Sequence, residues 1–308
     1  MTATAPPAPR LVHGEALRWH AGRLWVCDWE RRDVATLDSG GGRRVIVTVP
    51  SVPFTIDWTE DGRLVVLAGP DLLAHDGHGR LRRLAPLSAL GAEGWNEVVA
   101  DGRGGAYVDA VGADPATPCE PGSGTIALVD AEGRARVVAD GLTAPGSMAI
   151  TPDGATLLVA EPPAHRITAF TRGADGELTG RRVWAHLGHV EPDSLSLDSD
   201  GAVWCSDVPH GRCLRVRAGG DVLQVVPTGR GWFSCVLADG AEPALHVVGA
   251  FWTGPVPSVH GEPLGRWRTE PAPAPPAARV RDQHAPAGSP VGRCRVPARP
   301  RPAGAVAR

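Results

Sequence analysis

Lysine is absent from this chain of 308 residues, so all 31 basic side chains are arginine. That excludes Schiff-base chemistry and amine nucleophiles, which depend on a lysine of lowered pKa. Long apolar runs are missing too, and no stretch approaches the ~20 residues of a bilayer-spanning helix. Residues 1–10, MTATAPPAPR, show neither a basic start nor an apolar h-region, so the expectation is a cytoplasmic protein. Six cysteines (Cys27, Cys119, Cys205, Cys213, Cys235 and Cys294) form no C-x-x-C pair. Neither a zinc ribbon nor a disulfide framework is indicated, and they read as free, mostly buried thiols. There is no G-x-S-x-G elbow for a serine hydrolase, and no H-x-x-x-H pair on an expected helix for zinc. Asparagine occurs once, at Asn96.

Basic charge is scarce over most of the chain. The formal net charge is −3, which offers no surface for nucleic acid and none for a membrane. Residues 258–308 carry nine arginines against Glu262, Glu270 and Asp282, so the rest of the chain is acidic. What is abundant is glycine, 39 residues, and proline, 30 residues, which excludes a helical bundle.

A repeat organises the chain. Apolar alternation, a turn that is usually Asp-Gly, and a second apolar strand recur at Gly22, Gly62, Gly102, Gly154, Gly201 and Gly240. The strands after these anchors are RLWVCDW (23–29), RLVVLAG (63–69), GAYVDAV (105–111), TLLVAEP (156–162), AVWCSDV (202–208) and ALHVVGA (244–250). Third and fourth strands are visible in several units, as in VATLD (34–38) with RVIVTV (44–49), and RITAF (166–170) with RRVWAHL (181–187). Four antiparallel strands in ~40–50 residues make a propeller blade. The expected fold is therefore all-β: a six-bladed β-propeller with four-stranded antiparallel blades over 11–257. A disordered N-terminus over 1–10 precedes it and a Pro/Arg-rich, disordered tail over 258–308 follows. The sixth unit has few candidates for its outer strands, and Leu11 and Val12 are candidates to complete it.

The first strand of a blade lines the central channel, so residues at one end of these strands converge on one mouth. Aligned there are Glu15, Pro53 to Thr55, Asn96, Gly146 with Ser147, Asp193 and Ser234. Two carboxylates and a carboxamide suit a hard divalent cation, Ca²⁺ first, with Mg²⁺, Mn²⁺ or Zn²⁺ as alternatives. Trp95, beside Asn96, reads either as a wall of the pocket or as blade packing.

The motifs GEALRW with GRLWVCDW, WNEVVADGRGGAYVD, ADGLTAPGSMAITPDGATLLVAE and PDSLSLDSDGAVWCSDVPHGRCLRV stand in one order. Together they resemble the senescence marker protein, gluconolactonase and luciferin-regenerating enzyme-like family of six-bladed propellers, over about residues 11–255. The resemblance implies a metal-dependent hydrolase of a sugar lactone or related cyclic ester. By it Glu15 and Asp193 match family metal ligands, and Asn96 matches a family asparagine at the substrate and metal site. In this chain Asp193 is also the candidate catalytic base, and Trp95 and Ser147 join Asn96 as candidates at the substrate, a small-molecule lactone. Where the family usually has Pro-Asn-Gly, this chain has Pro145, Gly146 and Ser147, and Gly94 stands near the place of a family arginine. A non-catalytic propeller with a weakened metal site is the alternative. An asparagine restored at 146 is expected to tighten metal binding. Substrate choice is expected to lie in loops such as 112–124.

Overall fold

A computed structural model describes residues 11, 13–38, 42–112, 120–228, 232–238, 243–249 and 294–295. Segment 1–10, loop residues 113–119 and all of the tail 258–308 except 294–295 lie outside the described residues. What was expected of them is not tested.

Five four-stranded antiparallel sheets follow one another along the chain. Blade 1 comprises Gly14–His20, Arg23–Asp28, Asp33–Leu37 and Arg43–Thr48. Blade 2 comprises Phe54–Trp58, Leu64–Ala68, Asp71–His75 and Leu81–Pro86, and blade 3 Trp95–Ala100, Ala106–Ala110, Gly124–Val129 and Ala135–Leu142. Blade 4 is Ser147–Ile150, Thr156–Glu161, Arg166–Arg172 and Leu178–His186; blade 5 is Pro192–Leu197, Val203–Asp207, Arg212–Val216 and Val222–Pro227. A sixth sheet holds three strands, Trp232–Ala238, Ala244–Gly249 and Cys294–Arg295. The expectation of six four-stranded blades is thus corrected to five. Past Gly249 the chain offers proline and arginine in place of apolar alternation, and proline brings no N–H to a ladder. The two-residue strand Cys294–Arg295, inside the segment expected to be disordered, pairs with Ala244 and Leu245.

The repeated turns follow from side-chain chemistry. Asp101 Oδ1 accepts the N–H groups of Arg103 (2.7 Å) and Gly105 (2.8 Å), and Asp198 Oδ1 those of Asp200 (2.8 Å) and Ala202 (3.0 Å). The glycine inside each turn, Gly102 or Gly201, takes a positive φ that a Cβ would oppose. Second strands such as Leu64–Ala68 and Val203–Asp207 are buried at every position, because neighbouring blades cover both faces. Outermost strands keep one face in water, with Val45, Val183 and Val225 exposed.

Apolar cores lie between blades rather than within them. Phe54, Ile56 and Val66 of blade 2 pack on Val34 and Val47 of blade 1, and Trp204 and Cys213 of blade 5 on Leu237 and Leu245 of the sixth sheet. Val236 and Val248 of that sheet pack in turn on Leu17 and Val26 of blade 1, so the ring closes through side chains. Leu11 joins this last core outside any strand; Val12 lies outside the described residues. Among the described residues Cys27, Cys205, Cys213 and Cys235 are buried thiols outside any disulfide, and no helix is long and apolar enough to cross a membrane.

Candidate functional site

The inner strands do not run regularly at the residues of interest. Pairing with the second strand breaks between Glu15 and Arg18 in blade 1, between Val108 and Ala110 opposite Asn96 in blade 3, and between Asp193 and Leu195 in blade 5. A bulge adds a residue to one strand and re-aims the side chains around it. The residues just after the two carboxylates, Ala16 and Ser194, sit at φ 45° and 32°. Left-handed backbone at non-glycine residues is costly and concentrates at functional sites. Glu15, Asn96 and Asp193 therefore share one local device on three blades.

Electrostatics show that these strand ends meet. The Asp193 carboxyl is raised to about 7: burial and then the Glu15 charge push it up, the Ser194 N–H opposes both, and Glu97 adds a smaller upward push. The Ser194 N–H donates to Asp193 Oδ1 at 2.9 Å. Glu15 approaches His13 Nε2 at 3.5 Å. Asp109 is pushed well above the carboxylate range, first by burial and then by Glu97; the Glu97 N–H and the Asn96 side chain pull it down. Glu15, Glu97, Asp109 and Asp193 thus lie close enough for their charges to act on one another, Asp193 feeling Glu15 and Glu97, and Asp109 feeling Glu97 and Asp193.

A cross-channel network closes the floor. Arg18 of blade 1 donates to Glu97 of blade 3 at 2.6 Å, and the Thr55 hydroxyl of blade 2 donates to the same oxygen. Asp57 Oδ2 accepts the Ala100 N–H at 2.7 Å. The Arg18 guanidinium compensates Glu97, whereas Asp193 forms no ion pair among the described residues.

Asn96 reaches the other way. Its Nδ2 donates to the Gly146 carbonyl at 3.1 Å, joining blade 3 to the loop that opens blade 4. Gly146 itself lies against Asp193: a Cβ there would stand 2.8 Å from Asp193 Oδ1 and 3.1 Å from Pro162 Cγ. An asparagine at 146 would therefore have to move the end of the Asp193 side chain before it could add a ligand, which weighs against the tighter metal binding expected from the sequence. Ser147 is 2% exposed and its hydroxyl accepts the Leu195 N–H at 3.0 Å, tying blade 4 to blade 5. Trp95 is 4% exposed within the core between blades 2 and 3. Ser234 accepts the Leu17 N–H at 2.9 Å and serves the ring.

Sequence reading passed over Arg18, Glu97 and Asp109. Arg18 stands three residues after Glu15 and Glu97 directly after Asn96, so the motifs held them; only the bulges reveal that they face the channel.

Among the described residues no group of three His, Cys, Asp or Glu side chains is gathered around one point. The donors at these strand ends are two carboxylates, of which Asp193 is raised by burial and by the Glu15 charge, and one carboxamide. Oxygen donors with uncompensated negative charge fit a hard divalent cation. Glu15, Asp193 and Asn96 Oδ1 would hold it.

Against known proteins, the family described as SMP-30/Gluconolactonase/LRE-like region matches residues 13–248. The 6-deoxy-6-sulfogluconolactonase of Pseudomonas putida is 27% identical over 241 residues, covering 75% of this chain and 77% of that protein. Among solved structures, a calcium-binding protein, regucalcin, from Agrobacterium tumefaciens superposes with a TM-score of 0.65 at 18% identity, covering 79% of this chain and 88% of its own. A gluconolactonase from Xanthomonas campestris gives 0.64 at 22% identity, covering 79% and 84%. Ring, bulged inner strands and the span of the match lead to one assignment: the chain belongs to the SMP-30/Gluconolactonase/LRE-like family.

Proposed function

We propose that this protein hydrolyses a sugar lactone with the help of a divalent cation held by Glu15, Asn96 and Asp193. The observation that carries the reading is the burial of Asp193 within range of the Glu15 charge, which together raise its carboxyl to about 7. A buried like-charge pair without a cation costs stability and is characteristic of a functional centre. The names of the Pseudomonas and Xanthomonas relatives support a sugar lactone as the substrate class, and the name of the Agrobacterium neighbour supports Ca²⁺.

A cation held by these residues would supply Lewis-acid polarisation of the lactone carbonyl and stabilisation of its developing negative charge. Asp193 accepts the proton of the attacking water through the carboxylate oxygen not engaged with the Ser194 N–H. Glu15 serves as an anionic ligand. Asn96 supplies a neutral oxygen while its NH₂ stays on the Gly146 carbonyl. The Arg18–Glu97 pair forms the floor and keeps the Glu97 charge from adding fully to that of Asp193.

Gly146, in place of an amide-bearing residue, favours a second reading in which lactone binds without turnover. One assay separates the two. Acid release from gluconolactone and 6-deoxy-6-sulfogluconolactone is followed with a pH indicator, after chelation and after adding back Ca²⁺ or Mn²⁺. Metal-restored hydrolysis at least about 10³-fold above the buffer rate is expected. Lactone binding by calorimetry with only the buffer rate of ring opening would establish the binder instead.

A further inference from the structure

Two inner strands carry a left-handed residue that is not glycine. Ala16 (φ 45°) follows Glu15 and Ser194 (φ 32°) follows Asp193, and among the described residues no other inner strand has one. The ladder to the second strand skips Ala16 and Leu17 in blade 1 and Ser194 in blade 5. A side chain at positive φ is strained, so such a bulge persists only where its surroundings hold it. The N–H two residues beyond each carboxylate shows what does the holding. Leu195 N–H donates to the Ser147 hydroxyl of blade 4 at 3.0 Å, and Leu17 N–H to the Ser234 hydroxyl of the sixth sheet at 2.9 Å. Both serines are buried.

One device is thus built twice. In each, the inner strand of the preceding blade lends a hydroxyl to the residue just past the bulge, so the left-handed residue is held between a carboxylate and a hydrogen bond. Ser194 is anchored a second time. Its hydroxyl accepts the Cys235 N–H at 2.9 Å, donates to the Cys235 carbonyl at 3.0 Å, and lies 3.4 Å from the Ser234 hydroxyl, so the two devices touch. Hydroxyls also cross between blades away from the bulges. Ser196 accepts the Leu237 N–H at 3.0 Å, although Ser196 itself stays in register with Trp204. Joining blades therefore needs no bulge. What sets Ser147 and Ser234 apart is the carboxylate two residues before the N–H that each one holds.

We propose that Ser147 and Ser234 are positioning residues that hold the left-handed bulges after Asp193 and Glu15 and so aim the two carboxylates into the cavity. The proposal rests on the reading of these carboxylates as cation ligands, and its test has a second readout that needs no metal. Ser147→Ala, Ser234→Ala and the control Ser196→Ala each remove one hydroxyl acceptor, and similar falls in melting temperature are expected of all three. Calorimetry should show Mn²⁺ binding weakened at least about tenfold in the first two, and close to the parent's in the control. Ser147→Cys, which keeps a weaker acceptor, should fall between parent and alanine variant. Glycine takes a positive φ without strain, so adding Ala16→Gly to Ser234→Ala should recover much of the lost affinity. In the metal-free protein the Ser194 N–H, which donates to Asp193 Oδ1 and which Ser147 does not touch, reports how that carboxylate is held. By NMR its hydrogen exchange should quicken at least about tenfold in Ser147→Ala and keep the parent rate in Ser196→Ala. An equal loss of Mn²⁺ affinity in the control, or a Ser194 N–H that exchanges in Ser147→Ala as in the parent, would reduce the serines to ties between blades and overturn the proposal. A Ser194 N–H loosened by Ser147→Ala and not by Ser196→Ala, in a protein that binds no Mn²⁺, would uphold the positioning role and sink the metal reading instead.

Discussion

Asp193→Asn is expected to abolish lactone hydrolysis while making the metal-free protein more stable. Loss of a positioned general base costs about 10²–10⁴ in rate. Asp193 is also an anionic ligand, so the fall in kcat should reach at least about 10³, or roughly 4 kcal/mol of transition-state stabilisation. The stability change runs the other way. The folded-state pKa of Asp193 is raised from 3.8 to about 7. Between those values the folded chain binds a proton that the unfolded chain has lost, so stability falls as pH rises from about 4 to about 7 and stays low above. Asparagine carries no charge to desolvate. At pH 8 the variant should gain about 2–4 kcal/mol over the metal-free parent, and near pH 4 almost nothing. Denaturant unfolding at both pH values, with turnover assayed in parallel, checks the pair of effects. A variant that is inactive and less stable at pH 8 would show that Asp193 is an ordinary structural acid.

Gly146→Asn is expected to loosen the metal site. The new Cβ would meet Asp193 Oδ1 at 2.8 Å and Pro162 Cγ at 3.1 Å, and the proline ring cannot retreat as a flexible chain end would. The carboxylate must turn away from its Ser194 N–H. Displacing one anionic ligand should weaken Ca²⁺ or Mn²⁺ binding by about 10–100-fold, the range seen when groups that orient metal ligands are removed. Gly146→Ala should do the same without offering an amide, so the pair separates steric displacement from ligand gain. Calorimetric titration of both variants is the check. Tighter binding by the asparagine variant alone would mean that the loop opens and the amide takes a ligand position.

Much of the architecture was legible because a propeller repeats its chemistry. The Asp-Gly turns at Gly62, Gly102, Gly154 and Gly201 mark the hairpins between first and second strands, and the buried second strands read as short runs rich in apolar residues. Blade 2 shows the limit. Its outer strands Asp71–His75 and Leu81–Pro86 went unread, because DLLAH and LRRLAP mix charge with short apolar stretches and gain their strand character from pairing. The sixth sheet departed from its siblings for want of apolar alternation after Gly249.

In the site, Glu15, Asn96 and Asp193 could be aligned on their turns because chemistry-bearing residues fell at like distances from them. What alignment could not give was direction. Trp95 precedes Asn96 yet packs in the core between blades, and Ser147 follows Gly146 yet spends its hydroxyl on Leu195. Asp109 and Glu97 face inward because the strand pair is bulged between Val108 and Ala110. A one-residue bulge exchanges the faces of a strand, and no local pattern in WNEVVA announces it.

The central claim is that oxygens from three blades grip a divalent cation. Thermal unfolding of the chelated parent at pH 8, with and without Ca²⁺, Mg²⁺, Mn²⁺ or Zn²⁺, tests it most directly. At a hundredfold excess over Kd a bound ion adds about 2.7 kcal/mol. For a domain of this size that is a rise of about 5–10 °C, expected for at least one ion and absent from the Glu15→Gln, Asp193→Asn double variant. A melting temperature indifferent to all four ions, or an equal rise in the double variant, would contradict the account.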